Sequence, residues 1–212
     1  VLAGLASNDS AELASFFDPK EASTIYNFLN TELNQKFTDY DIEMFEQASK
    51  IWQEHGVQFV AILLFRALPF TYVAEKPANV LRMTKLLEAQ PSRRVFETAQ
   101  FVFDVMDNEW WKPGKRGILT ALKIRLMHAS IRYMLLNSEG NEKYDEARWG
   151  KPINQEDMIG TNQVFSLEFF KGMELLGEPL TEKEQEAWFH TWKVIARIMG
   201  MEEQLLSDTV EE

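Results

Sequence analysis

Three residues in the stretch from Gly117 to Asn137 have the types and spacing to do chemistry: Arg125, His128 and Arg132. Separated by three and four positions, they share one face of a helix, each a turn above the last. The helix around them is apolar nearly all the way round, through Ile118, Leu119, Leu122, Ile124, Leu126, Met127, Ile131, Met134 and Leu135. Such a helix is expected inside a domain. Burying two guanidinium groups beside an imidazole is costly unless an anion or a metal answers them. The stretch therefore calls for a partner.

A lone histidine on an apolar face is more often a satisfied core residue than a ligand, and the two arginines shift that balance. One ligand answers all three: haem b, whose iron takes an imidazole and whose propionates take arginine. A haem held without covalent bonds also needs a broad apolar cavity. The Phe and Met content, fifteen and nine residues, could line one, and an aromatic helical core accounts for it equally well. A second polar group precedes it in the chain. Arg94, Glu97, Thr98 and Phe101 share a helical face just before the apolar run Ala99 to Phe103. Read plainly, this is an amphipathic helix start with a contact from Arg94 to Glu97 or Thr98. Read functionally, it is a polar spot opposite a metal, able to hold oxygen or move a proton.

Other catalytic patterns are missing. The sequence has no Gly-rich phosphate loop, no His-Glu-x-x-His, no calcium loop and no Gly-x-Ser-x-Gly. It also lacks the Glu-x-x-His pairs of a di-iron bundle. With three His and no Cys, a zinc site would have to be rich in carboxylates, and neither disulfides nor covalent haem attachment through cysteine is available. His55, before Gly56, reads as a cation at a helix end, and His190, between Trp188 and Trp192, as surface or edge packing.

The elements that must position these residues read as helix after helix. Asp18-Pro19 opens one that runs to about Gln35, and Thr38 or Asp39 opens another that stops at Gly56. Val57 to Leu68 reads as a further buried helix ended by Pro69. Pro77 opens a helix to Leu87, and Pro91-Ser92 one that ends near Asp107. After the loop from Asn108 to Arg116 comes the central helix, then an irregular segment from Ser138 to Pro152. Asn154 caps a helix expected to reach Gly177, and Thr181 to Glu184 forms a capping box for the last one. The acidic tail is expected to fray. The 212 residues suit a single all-α domain covering 1–212.

Forty-five per cent hydrophobic residues mark a globular chain, and a net charge of −11 argues against nucleic acid or an anionic membrane as partner. The longest clean apolar run, Phe59 to Phe65, is too short to span a bilayer. A soluble, cytoplasmic protein is expected, with the compartment and oligomeric state left open. The chain opens on Val1 and not Met, which leaves room for residues upstream.

Three motifs in order resemble one family: Arg93-Arg94-x-x-Glu97-Thr98, then Arg125-Leu126-Met127-His128-Ala129-x-x-Arg132, then Gly150-Lys151-Pro152-Ile153-Asn154-Gln155-Glu156-Asp157. It is the rubber oxygenase (latex clearing protein) catalytic-domain family, which also includes the endoplasmic-reticulum-bound oxygenase of mycophenolic acid biosynthesis. The likeness runs from about Leu68 to Leu176. It implies a globin-like multi-helix bundle enclosing one haem b, with molecular oxygen as co-substrate. His128 matches the proximal iron ligand, Arg125 a pocket arginine, and Arg94 and Thr98 the distal pair. Rubber-cleaving members carry a lysine before that threonine, able to take the sixth iron position; Glu97 stands there in this chain. Glu75 is the nearest candidate for a further catalytic glutamate, and Asn154, Gln155 and Asp157 read as capping and loop anchoring.

The resemblance thus implies a haem oxygenase acting on an apolar alkene or isoprenoid-like substrate. In it His128 binds iron, Glu97 acts as ligand, gate or proton donor, and Arg125 and Arg132 meet propionates or steady the imidazole. Two alternatives stay open: a haem protein without oxygenase activity, and a cofactor-free all-α interaction module whose arginines pair with neighbouring carboxylates.

Overall fold

Local chemistry at the helix starts sets most of the architecture. The computed structural model describes Ser15 and residues 18–84, 91–138 and 143–210, with residues 91–94 described in backbone only. Asp18 accepts from Lys20 N at 2.9 Å and opens α1 (Pro19–Leu33). Thr38 and Asp41 form a reciprocal capping box for α2 (Asp39–Ile62), with Thr38 N donating to Asp41 Oδ2 at 2.8 Å.

The expected stop at Gly56 is absent, and α2 runs straight through it. A helix-interior glycine costs about 1 kcal/mol, while Phe59 and Ile62 on the following turns are buried, with Phe59 against Trp52. Burial of those side chains wins. His55 therefore lies mid-helix, 3.9 Å from Glu178, and not at a helix end. The next residues, expected to be buried throughout, are divided: Leu63 and Ala67 are buried but Val57 and Phe65 are each 83% exposed. Leu63–Ala67 winds as a π-helical turn leading into α3 (Leu68–Thr71). Arg66 Nε sits 2.8 Å from Glu168 Oε2 beside that turn. Gly172 lets the partner helix close on Ile62, where a Cβ would stand 2.6 Å from its side chain.

A sharp bend leads to α4 (Glu75–Met83), which starts two residues before Pro77; its expected extension to Leu87 passes beyond the described residues. Next come α5 (Pro91–Met106) and α6 (Gly117–Leu136), joined by a loop whose Trp110 and Trp111 are buried. Only glycine fits at 117, because a Cβ there would lie 2.8 Å from Trp110. The irregular segment contains a short helix, α7 (Glu146–Trp149). The single helix expected after Asn154 is two, α8 (Gln155–Val164) and α9 (Leu167–Leu176), because the Phe165 carbonyl leaves the helical pattern to accept from the Trp188 indole at 2.9 Å. Thr181 and Glu184 cap α10 (Glu182–Ile198). As far as Val210 the tail is tied down, not frayed. Lys193 pairs with Asp208, Arg197 lies 3.6 Å from Glu203, and Val210 packs on the core.

The antiparallel-packed pair α2 and α10 forms the centre, with α9 and α5 against α2 and α6 held by α5, α10 and α1. Much of the Phe and Trp content fills this core: Phe59, Phe169 and Trp188 pack ring on ring within 5.2 Å of one another. The molecule is all-α, with no strand among the described residues. The central helix α6 is buried nearly all round only over its first half; beyond it Ile131 and Leu135 still face inward. Gly117 to Leu119 and Ala121 to Lys123 are buried, whereas Tyr133, Met134 and Leu136 are exposed.

Candidate functional site

Asp104 fixes how α5 and α6 lie together. Its carboxylate, 8% exposed, accepts from Thr120 Oγ1 and from Gln100 Nε2, each at 2.8 Å, and lies 3.7 Å from Arg116 Nε. The two helices form an antiparallel hairpin, so counting away from that bond sets Thr98 level with Leu126 and Glu97 level with Met127. The backbone of Arg94 falls one turn further, level with Ser130; its side chain lies outside the described residues. Thr98 is half-buried and Glu97 exposed. Those two candidates thus lie within about a turn of His128 along the hairpin.

His128 stands half-buried in the middle of α6, with its Nδ1 sealed from solvent. Its neighbours Met127 and Ile131 pack against Val80, Tyr144, Trp149 and Ile153. Arg125, one turn earlier, reaches the far end of α10. Its Nη1 donates to the Ile198 carbonyl at 3.4 Å and lies 3.7 Å from Glu32 Oε1, with the guanidinium 5.1 Å from the Phe28 ring centre. Gly200, at φ +92°, is required here: a Cβ would meet Arg125 Nε at 2.7 Å. Arg132, one turn later, clamps a loop. Its Nε donates to Pro152 O at 3.2 Å and its Nη2 to Ile153 O at 2.5 Å.

That loop is strained, because Ile153 sits at φ +54°, a region β-branched residues rarely enter. Asn154 caps α8 by accepting from Asp157 N at 2.9 Å, and Gln155 bonds to Gly200 O and Glu202 N. Burial, then Glu156, pushes the Asp157 carboxyl above its usual range, opposed by Lys76 and Asn154. The third motif is thus an anchored strap tying the end of α10 to α6.

Lys123 is a further strongly polar residue of α6 that the three-residue reading passed over. It is buried beside Asp104, and burial, then Arg116, lowers its ammonium pKa against the pull of Asp104. A charged residue in a helix otherwise apolar at that level was the available signal. Nothing in the sequence marked the left-handed Ile153.

Among the described residues no three His, Asp or Glu side chains come together to hold a bare metal ion. A single imidazole flanked by cations and apolar side chains fits a metal that brings its own equatorial donors, as a porphyrin iron does. Two cavities lie away from His128, one of about 230 Å³ among Asn30, Leu33, Lys112 and Ile118, the other beside Ile159 and Phe189.

Residues 52–212 match the family described as ER-bound oxygenase mpaB/B'/Rubber oxygenase, catalytic domain. The chain belongs to this family. The matched residues run from the middle of α2 to the end of the chain and take in α5, α6 and the strap. A rubber oxygenase from Streptomyces sp. (strain K30) is 27% identical over 118 residues, covering 55% of this chain. The chain spans about 28% of that relative's length. No solved structure matches.

Proposed function

We propose that this member of the oxygenase family is a haem b-dependent oxygenase that uses molecular oxygen to oxidise or cleave a C=C bond in an apolar alkene or isoprenoid-like substrate. The observation that supports the reading is the α5–α6 hairpin, which sets Glu97 and Thr98 within about a turn of His128 along its length, in a chain matching an oxygenase family over that whole region. Haem b, when bound, would supply the oxygen chemistry that no side chain here can.

The chain's own residues have separate tasks. His128 would hold the haem iron, its height fixed because the first half of α6 is locked in the core. Arg125 and Arg132 present positive charge on either side for propionates. Arg125 has five N–H donors and is about a third exposed, so it is open to an anion, whereas Arg132 is engaged through Nε and Nη2 and also steadies the strap. Thr98 offers a hydroxyl on the same stretch of the hairpin, and the resemblance gives Arg94 the role of its distal partner. Glu97, facing solvent, holds or moves a proton or serves as a second metal ligand. Because it stands where the resemblance implies lysine for rubber cleavage, it argues against rubber itself within the class of apolar alkenes.

One observation favours a second reading, a cofactor-free helical module. Arg125 and Arg132 already meet acceptors within the protein. A visible absorption spectrum of protein produced with haem supplied separates the two. The native chain is expected to show a strong Soret band that His128→Ala loses or shifts, with the helical circular dichroism of both proteins alike. A native protein without the band would overturn the oxygenase reading and leave the helical module.

A further inference from the structure

Arg125 depends on the turn that ends α10. There Gly200 N donates to Arg197 O and Met201 N to Ala196 O, each at 3.0 Å. Both bonds use carbonyls before Ile198, and the Ile198 carbonyl is the one that Arg125 Nη1 takes at 3.4 Å. Gly200 itself lies against the guanidinium: a Cβ on it would stand 2.7 Å from Nε and 3.3 Å from Cζ. The turn thus both bonds Arg125 and walls it in. Any shift of the turn is a shift of that side chain, which remains about a third exposed.

Gln155, the first residue of α8, holds this turn from outside. Its Nε2 donates to Gly200 O and its Oε1 accepts from Glu202 N, each at 3.1 Å. A primary amide answers a carbonyl and an N–H together, whereas a carboxylate only accepts. Gln155 is itself held still. Arg132 grips the carbonyls of Pro152 and Ile153 just before it, and Asn154 bonds Lys151 O at 3.0 Å and Asp157 N at 2.9 Å. Closing α8 on α10 does not need the amide, because Met158, Ala196 and Met201 already pack there as a buried cluster. What the amide adds is the placement of the turn.

We propose that Gln155 is a positioning residue for Arg125, holding through Gly200 the guanidinium that meets a ligand carboxylate one helical turn from His128. Residues 152–155 then set both flanking arginines: Arg132 grips this backbone directly, and Gln155 carries its position across to Arg125. Naming the carboxylate as a haem propionate rests on the haem reading. The link from Gln155 to Arg125 does not.

One set of variants of the whole chain, read with and without haem, tests it. In protein produced with haem supplied, transfer to excess apomyoglobin gives the rate of haem loss. Gln155→Ala is expected to lose haem about tenfold faster than the native chain. The double variant Gln155→Ala, Arg125→Ala should lose it no faster than Arg125→Ala alone, since a residue acting through Arg125 then has nothing to act on. Asn162→Ala removes a different bond from α8 to α10, Nδ2 to Trp192 O at 3.4 Å, and should keep the native rate. In haem-free protein, the stability losses of the Gln155 and Arg125 variants in urea should be non-additive. Gln155→Glu keeps the acceptor without the donor, and repeats the test should Gln155→Ala lose its helical circular dichroism. The proposal is overturned by a native rate of haem loss in the Gln155 variants, by equally fast loss from Asn162→Ala, or by additive effects in either state. A native chain that binds no haem would sink the haem reading, and the haem-free measurements would then decide the link by themselves.

Discussion

At the scale of single residues, the side chains with the most at stake are those buried with a charge. Asp104 accepts from Thr120 and Gln100 and is the carboxylate beside buried Lys123 and the Arg116 guanidinium. Removing it strips Thr120 and Gln100 of a buried acceptor and takes a carboxylate away from buried Lys123 and from Arg116, which costs far more than one surface pair is worth. Asp104→Ala is expected to destabilise the fold by about 3 kcal/mol, read from urea unfolding, while Asp107→Ala, an exposed acid that pairs with Lys115 at the surface, should change little. Part of this site was legible beforehand. The spacing of Arg125, His128 and Arg132 puts them on one helical face wherever the helix goes. Their partners were not legible, because Ile198, Glu32 and Pro152 come from distant parts of the chain, and Ile198 and Pro152 offer only backbone carbonyls, which carry no sequence signal. Lys123 was legible and overlooked.

At the scale of elements, the two central helices begin with the same device. Asp41 in α2 and Glu184 in α10 each accept from the backbone and hydroxyl of the threonine three residues before. Burial pushes the Asp41 carboxyl up, but the Thr38 bonds and His190, whose Nε2 is 2.7 Å away, outweigh it and bring it below the usual range. The Thr181 bonds, side chain first, lower Glu184. A carboxyl lowered on folding stabilises fully above its unfolded pKa, and that contribution fades as pH falls through the folded value. Stability should therefore drop below about pH 4, and Asp41→Asn should flatten the drop when thermal midpoints are followed against pH; an unchanged slope would show that the α2 cap contributes nothing. Capping boxes could be read directly because every participant lies within four residues. Breaks decided by packing could not. Gly56 looks like a stop and is crossed, and the Phe165–Ser166 break is set by an indole on α10.

At the scale of the whole molecule, one apolar cluster joins α1, α2, α5, α6, α9 and α10. On that basis residues 1–212 are proposed to act as a single domain. Trp110, Trp111, Trp188 and Trp192 all belong to the cluster, so their fluorescence reports on it. Unfolding followed by tryptophan fluorescence and by helical circular dichroism should give superimposable curves; two separated midpoints would divide the chain into independent units. The all-α class was legible from periodicity and caps alone. The exposure of Val57 and Phe65 was not, since an apolar run states only that burial is favourable, not which side of the helix obtains it.

The side that obtains burial is chosen at the π-turn, Leu63–Ala67. A regular α-helix advances about 100° per residue, and a wider turn takes in extra chain without adding a full step of rotation. The segment therefore works as a vernier between two lengths of one rod. Upstream, its phase points Phe59 and Ile62 at the core; the turn itself keeps Leu63 and Ala67 inside, and downstream the shifted phase leaves Phe70 facing out. Deleting one residue within the turn would leave composition almost untouched, yet swing everything beyond it by roughly a quarter of a revolution. In this rod phase, more than hydrophobicity, determines which of two similar phenylalanines meets water.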